Sequence, residues 1–354
     1  MRVVSLFDGM ACGYEALKRA GITPTLYYAA EIDKHAIQIA KKNHPWIIHM
    51  GDVTQWREWN IDWSKIDLLI GGSPCQGFSF AGKQLAFDDP RSKLFFVYVD
   101  ILNHIKSVNP NVKFLLENVK MKKEYLAVIS EQLGVQPTFV NSSLVSAQNR
   151  QRYYWANWEF EQPEDKNIKW GDIRQTGVNE FYYTEKGLQW LARHSQRKNK
   201  TLDIWSDEEK VQMLEASHYK NYSSQRFFGV CDLPSDGECV AAMRGRYLKE
   251  GRRNDFLQCE NGNTAQFVEF RYDGKSNALT TVGKDNVVVP FTLPNRIPSD
   301  MFFFRYITLI ECERLQTMPD NYTEGVSNTQ RYRMLGNGWT CDVVAHIFRS
   351  LPKC

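Results

Sequence analysis

The chain has 354 residues, enough for one large domain and one smaller one, each with its own core. A hydrophobic share of 43% and a charged share of 24% are those of a soluble globular protein, and no run is apolar for long enough to span a bilayer. The net charge of +3 neither demands nor forbids a nucleic-acid partner, and eight cysteines without a C-x-x-C pair or zinc-spaced His-Cys cluster point to reduced intracellular thiols and no metal.

Met1 to Ser5 enters an apolar run almost at once, so no signal peptide is expected. Arg2 to Phe7 is a predicted buried strand. Asp8-Gly9-Met10-Ala11-Cys12-Gly13 follows, and Tyr14 to Arg19 is a predicted helix. Strand, glycine turn and helix start together form a place where backbone N–H groups meet a polar ligand. A second strand, Thr25 to Ala30, leads into Glu31-Ile32-Asp33. An acid about twenty residues after the glycine turn suits the two hydroxyls of a ribose, and it equally suits a helix cap. A third strand, Trp46 to Met50, ends at Gly51-Asp52-Val53, where Asp52 could accept a hydrogen bond from an adenine amino group. Three strand ends thus offer ligands to one nucleoside. A nicotinamide-dependent oxidoreductase has a similar layout, but its G-x-G-x-x-G spacing is absent and it gives the next motif no role.

Ile66 to Ile70 is a short apolar run, a predicted parallel strand. Gly71-Gly72-Ser73-Pro74-Cys75-Gln76-Gly77-Phe78-Ser79 follows, with small residues for a sharp turn and Cys75 at its tip. An inert core cysteine needs no such turn. A cysteine beyond the carboxyl end of a parallel strand lies where open α/β sheets bind ligands. The nonapeptide resembles the nucleophile loop of the DNA cytosine-5 methyltransferases, a family whose methyl donor is S-adenosylmethionine. The resemblance gives the nucleoside pocket to that cofactor, with Phe7, Asp8, Gly9, Gly13, Glu31, Ile32, Asp52 and Val53 around it. Met10-Ala11-Cys12 departs from the commoner glycine-rich turn and is similar to Phe-Asp-Gly-x-x-x-Gly of the vertebrate de novo methylases.

Residues 80 to 91 form a polar segment suited to closing over a substrate. Lys93 to Ile105 is a predicted helix, and Lys113 to Leu116 a strand delivering Glu117-Asn118-Val119. Glu117 is a surface acid or, beside the Cys75 loop, a carboxyl that protonates a ring nitrogen. Val140 to Val145 is a further predicted strand. Gln148-Asn149-Arg150-Gln151-Arg152 then matches the family's Gln-x-Arg-x-Arg signature, which assigns Arg150 and Arg152 to the flipped base and its phosphates.

Beyond Asn157 the βα rhythm stops. Between Ala241 and Phe256 lie Arg244, Arg246, Lys249, Arg252 and Arg253 with Gly245 and Gly251, a basic stretch suited to following DNA and reading guanine edges. Arg305 to Gln316 is a predicted helix. Tyr332 to Trp339 is expected to open the last one, Cys341 to Phe348, with Asn337 and Gly338 completing the cofactor pocket by resemblance.

The motifs imply a doubly wound, mostly parallel α/β domain of the Rossmann-like methyltransferase kind. Residues 1–175 and 326–354 would form it, and 176–325 a smaller target-recognition domain. By resemblance the substrate is double-stranded DNA. Cys75 adds to C6 of a flipped cytosine, Glu117 serves N3, and Ser73, Pro74, Gln76, Asn118, Arg244 and Arg246 contact the DNA; the products are 5-methylcytosine and S-adenosylhomocysteine. A transfer-RNA branch shares the scaffold but usually carries Pro-Pro-Cys where this chain has Ser-Pro-Cys. An inactive regulatory relative would lack Cys75 or Glu117. A monomer in the cytoplasm of a prokaryote or of a phage's host is expected, or in a nucleus if the source is eukaryotic. Whether a restriction endonuclease accompanies it is left open.

Overall fold

The computed structural model describes residues 1–74, 93–176, 178, 210 and 307–352, with the backbone of short strands between 203 and 305. The first strands are Arg2–Leu6 (β1), Leu26–Ala30 (β2), Ile48–His49 (β3), Leu68–Gly71 (β4) and Lys113–Val119 (β5). Thr138–Asn141 (β6), Gln148–Asn149 (β7) and Gln151–Ala156 (β8) follow. Seven of them form one sheet in the order β3-β2-β1-β4-β5-β8-β6. Only β8 runs against its neighbours, β5 and β6; the other pairs are parallel.

The strands are apolar along their whole length because both faces are covered. Val3, Leu68, Ile70 and Leu115 point into one buried cluster, with Ala16, Leu17 and Ile39 of helices Cys12–Arg19 (α1) and Lys34–Asn43 (α2). Val4, Leu6, Leu69, Phe114 and Leu116 point into the other. There they meet Phe95, Tyr98 and Leu102 of Lys93–Val108 (α3) and Ile129 of Lys123–Leu133 (α4). Alternate residues going to opposite cores is the period-two geometry of a strand buried on both sides. The strand order turns back between β1 and β4, which is where sheets of this kind open a crevice at the carboxyl ends of their strands.

Several predicted elements have different bounds. Only Ile48–His49 of the run 46–50 pairs with β2. The strand expected over 140–145 is β6, which ends at Asn141; the Asn141 side chain accepts the N–H of Ser143 and turns 142–144 into a 3-10 coil. Trp170–Ile173 (α5) is a single helical turn. The helix expected over 305–316 is Leu309–Leu315 (α6), started by a reciprocal cap between Thr308 and Glu311. Residues 332–339 do not open the last helix. They end a separate one, Asn328–Asn337 (α7), whose final turn closes with the Gly338 N–H on the Met334 carbonyl. The last helix is Cys341–Arg349 (α8).

Ile307, Cys312, Leu315, Met318 and Tyr322 belong to the same buried cluster as α1 and α8. These residues, on the recognition-domain side of the expected boundary at 325, pack in the first core. Apolar spacing in 307–322 is what carries them there. In the basic stretch, Met243–Arg246 pairs antiparallel with Ala265–Val268, and Leu248–Lys249 with Arg252–Arg253. Among the described residues no helix is long and apolar enough to cross a membrane.

Candidate active site

The carboxyl ends of β1, β2, β3, β4 and β5 reach one edge of the sheet, and each brings residues singled out from the sequence. Parallel register sets their levels. Gly71 lies opposite both Leu6 and Leu116, so Phe7, Gly72 and Glu117 are the next residues out on three neighbouring strands.

Glu117 is buried at the end of β5, where it pairs with Tyr154 of β8. Its Oε1 lies 2.8 Å from Arg152 Nε, a close ion pair whose N–H does not align as a hydrogen bond. Its Oε2 accepts the indole N–H of Trp339 at 3.0 Å. Gly72 passes directly over that bond. A Cβ built on Gly72 would lie 2.9 Å from Trp339 Nε1 and 3.0 Å from Glu117 Oε2, closer than packing allows. Asn118 Nδ2 reaches back to the same loop, 3.3 Å from Ser73 Oγ. The root of the Ser-Pro-Cys turn is thus laid against Glu117, Trp339 and Asn118. Cys75 and Gln76 lie outside the described residues; Pro74, half-buried, is the last residue before them.

Three other cysteines are described: Cys12, Cys312 and Cys341, all buried. Burial pushes the Cys12 thiol up to about 12 and the other two well above the usual range. A thiol held in that way is a poor nucleophile.

Arg150 is placed differently from the expectation that it faces the base. It is buried, and its Nη2 donates to the carbonyls of Gly336 at 3.2 Å and Gly338 at 2.9 Å. Those carbonyls end α7, where no further turn of helix satisfies them. Arg150 therefore grips the closing turn while Arg152, two residues on, meets Glu117.

Beside this lies the nucleoside side of the edge. Phe7 has φ 58, a left-handed conformation uncommon for a phenylalanine, and Gly9 has φ 59 with nothing within 4 Å of where a Cβ would be. The Gly9 N–H donates to Glu31 Oε2, and the N–H groups of Ile32 and Asp33 donate to Oε1, each at 2.8 Å. A carboxylate has about four lone-pair sites, so one remains on Oε2. Asp52 caps a 3-10 turn, and its Oδ1 takes both bonds from Thr54, leaving Oδ2 turned elsewhere. Val53, next to Asp52, is buried, and Ile32, next to Glu31, stands 75% exposed. A diol acceptor, an amino-group acceptor and an apolar side chain without cover fit a purine nucleoside. Gly338 closes this side: a Cβ there would press on Cys12 Sγ and Met10 Cε at 3.2 Å, so the closing turn lies against the first glycine turn. Asn337 is exposed next to it.

Two expected ligand residues have structural roles in their side chains or their lack of one. Asp8 points inward, its Oδ1 accepting from Ser5 Oγ and Tyr27 OH, which leaves only its backbone at the surface of the turn. Gly13 is inside α1, where a Cβ would come within 2.6 Å of Ile70 Cδ1; it lets the helix lie close on the sheet. Arg244 and Arg246 are on a described strand, but their side chains lie outside the described residues. Trp339 and Gln316 went unnoticed in the sequence. Gln316 is fully buried and donates to the Leu335 and Gly338 carbonyls while accepting from Thr340. The signal available for Trp339 was its place directly after Gly336-Asn337-Gly338; Gln316 left none.

Comparison with known proteins agrees with this geometry. Residues 1–353 match the family described as C-5 cytosine-specific DNA methylase. The orphan methyltransferase M.SPRI of Bacillus phage SPR is 26% identical, over 99% of this chain and 97% of its own. The type II methyltransferase M1.ScrFI of Lactococcus lactis subsp. cremoris is 29% identical, over 88% and 67%. M.HpaII of Haemophilus parainfluenzae is 26% identical, over 94% and 84%. The structure of the Entamoeba histolytica methyltransferase EhMeth superposes with a TM-score of 0.63 at 17% identity, covering 98% of this chain and 96% of that one. S. pombe Dnmt2 gives 0.58 at 17% identity, with 98% and 96% covered. These two are likenesses of fold. The family match runs from the first strand to the last helix and takes in the acid, the arginines and the Ser-Pro-Cys turn, so the chain belongs to the C-5 cytosine-specific DNA methylases.

Proposed function

We propose that this DNA cytosine-5 methyltransferase works through a covalent bond between Cys75 and C6 of a cytosine flipped out of double-stranded DNA. The observation that carries the reading is the contact of Gly72 with the Glu117 carboxyl, which sets an acid at the root of the loop bearing Cys75. C5 of cytosine is too weak a nucleophile to act unaided. Addition of the Cys75 thiolate to C6 moves an electron pair into the ring and makes C5 carbanion-like. Glu117 gives a proton to N3 as that charge develops, and Arg152 holds the carboxyl beside it. S-adenosylmethionine, when bound, supplies an electrophilic methyl group on a sulfonium sulfur. C5 takes the methyl. A base then removes the C5 proton, the C5–C6 double bond re-forms, Cys75 leaves as thiolate, and the N3 proton returns to Glu117.

For the cofactor we assign Glu31 Oε2 to a ribose hydroxyl, Asp52 Oδ2 to the adenine amino group and Ile32 to the adenine face. Phe7, Gly9 and Val53 line the same pocket, and Asn337 and Gly338 close it. Gln76, Ser73, Pro74 and Asn118 shape the pocket for the base, and the strand with Arg244 and Arg246 contributes to a recognition region within 176–306. A monomer in a bacterial or phage-infected cytoplasm fits the sources of the named relatives. One of them is named an orphan methyltransferase, so no partner nuclease is required by the relationship.

The test is a trap that needs no knowledge of the target site. A duplex is synthesised with 5-fluorocytosine in place of every cytosine and incubated with the protein and S-adenosylmethionine. After methyl transfer C5 carries fluorine where the departing proton should be, and fluorine cannot leave as a cation. The protein should stay bound to DNA through denaturing electrophoresis, and Cys75→Ser should abolish the adduct. Protein that methylates ordinary DNA yet forms no adduct would overturn the covalent route.

A further inference from the structure

The geometry points to Trp339 as a positioning residue for the reaction: its indole N–H fixes how the Glu117 carboxyl is turned, and with it the lone pairs left to meet the base. The inference rests on the reading of Glu117 as the acid at N3.

Trp339 and Glu117 are 222 residues apart in sequence and joined by one hydrogen bond of 3.0 Å, Trp339 Nε1 to Glu117 Oε2. Three features make this more than packing. The first is chemical: an indole N–H donates and never accepts, so the lone pair it faces on Oε2 cannot carry a proton. Arg152, also donor-only, excludes the lone pair it faces on Oε1. The proton destined for N3 is thereby confined to the sites that neither group covers. The second is the closed ring of contacts. Arg152 meets Glu117, Arg150 holds the Gly336 and Gly338 carbonyls, and Trp339 follows Gly338 directly. The carboxyl is thus gripped from two directions by residues on a single connected frame. The third is Gly72, which lies over the Trp339–Glu117 bond and leaves no room for a Cβ. The chain leading to Cys75 is seated on the bond itself at Gly72.

A carboxyl freed from Trp339 could turn about its last torsion and lose its aim at N3. Turnover should suffer while binding does not. Trp339→Phe removes the N–H, and benzothienylalanine at the same position keeps the bicyclic shape with sulfur in place of N–H. For both, kcat should fall about tenfold, the effect expected of one lost hydrogen bond, while KM for S-adenosylmethionine and for DNA stays within about twofold. In a Glu117→Gln background the same replacement should cost much less, because the two residues act as a unit.

Wild-type kcat in the sulfur variant overturns the inference. So does a defect confined to the KM for S-adenosylmethionine, which would make Trp339 a wall of the cofactor pocket only. A full tenfold loss persisting in the Glu117→Gln background would show that Trp339 acts through another group. If Glu117→Gln alone turns over normally, the acid reading itself falls and takes this one with it, an outcome distinct from the first three.

Discussion

Asp8 sits at the centre of the first turn and is fully enclosed. Ser5 Oγ and Tyr27 OH both donate to its Oδ1, and Oδ2 is buried without a hydrogen-bond partner. Burial outweighs those two donors, and Glu31 adds like-charge repulsion, so the carboxyl is pushed from 3.8 up to about 7. The folded protein holds this proton over a range in which the unfolded chain releases it. The stability it brings is complete below about pH 3.8 and is lost as pH rises through about 7, on the order of 4 kcal/mol in all. Asp8→Asn keeps an acceptor for Ser5 and Tyr27 and has no proton to lose. Its melting temperature should come closest to the wild type at about pH 4 and exceed it increasingly towards pH 8; a difference that does not change with pH would show that Asp8 does not titrate in this range. The sequence could name Asp8 but not its direction, which depends on Ser5 and on Tyr27 from the neighbouring strand. The carbonyl contacts of Arg150 were out of reach for the same reason. Its signature marks an arginine, and only the distant carbonyls of α7 decide where the guanidinium goes. The position of Glu117 at the sheet edge was legible because it follows a short apolar run that reads as a buried strand.

At the scale of elements, strands and early helices were readable because each is a short apolar run with a clear stop. Tertiary pairing decided the rest: β3 is the two residues that face Tyr28 and Ala29 of β2, and 142–144 coils because Asn141 captures the next backbone N–H. The separation of α7 from α8 was missed, since Gly336-Asn337-Gly338 reads as a helix start as easily as a helix end. α1 shows how tightly these elements are fitted. It packs on β4 and α8, and Arg19 at its end donates to Asp342 at 2.8 Å. Gly13 is the point of closest approach, with Ile70 Cδ1 and Tyr27 OH 2.6 and 2.8 Å from where a methyl group would stand. Alanine is a better helix former than glycine by about 1 kcal/mol, but overpacking a core costs about 1–3 kcal/mol. Both neighbours are buried and Tyr27 is tied to Asp8, so the clash should win. Gly13→Ala should lower the urea midpoint, and an unchanged or raised midpoint would mean that α1 can lift from the sheet without loss.

For the whole molecule, the proposed division asks how a region that would read DNA is kept in register with the one proposed to perform chemistry. The described attachment is short. Val211–Gln212 pairs in parallel with β7, immediately before Arg150 and Arg152, and Lys210 donates to the Ser143 carbonyl and lies 3.5 Å from Asp165. The proposed recognition region is thus fastened to the short strand just before the two arginines that meet the closing turn and the acid, while Ile307 to Tyr322 packs in the first core. Base-edge contacts decide which sequence is bound, whereas the roles proposed for Cys75, Glu117, Arg152 and Trp339 serve chemistry common to every cytosine. The two can then be exchanged separately, provided the attachment is left whole. Replacing residues 215–300 with the matching region of an active relative of different specificity, and keeping Lys210 to Gln212, should move methylation to the relative's site with the reaction unchanged. Bisulfite sequencing of DNA from cells making the chimera reads this directly. An active chimera still methylating the original site would place recognition outside 215–300. The same exchange carried through Lys210 to Gln212 should also lower kcat, because the strand that aims Arg150 and Arg152 would lose its partner. If both chimeras turn over equally, that pairing is only a tether and plays no part in setting the site.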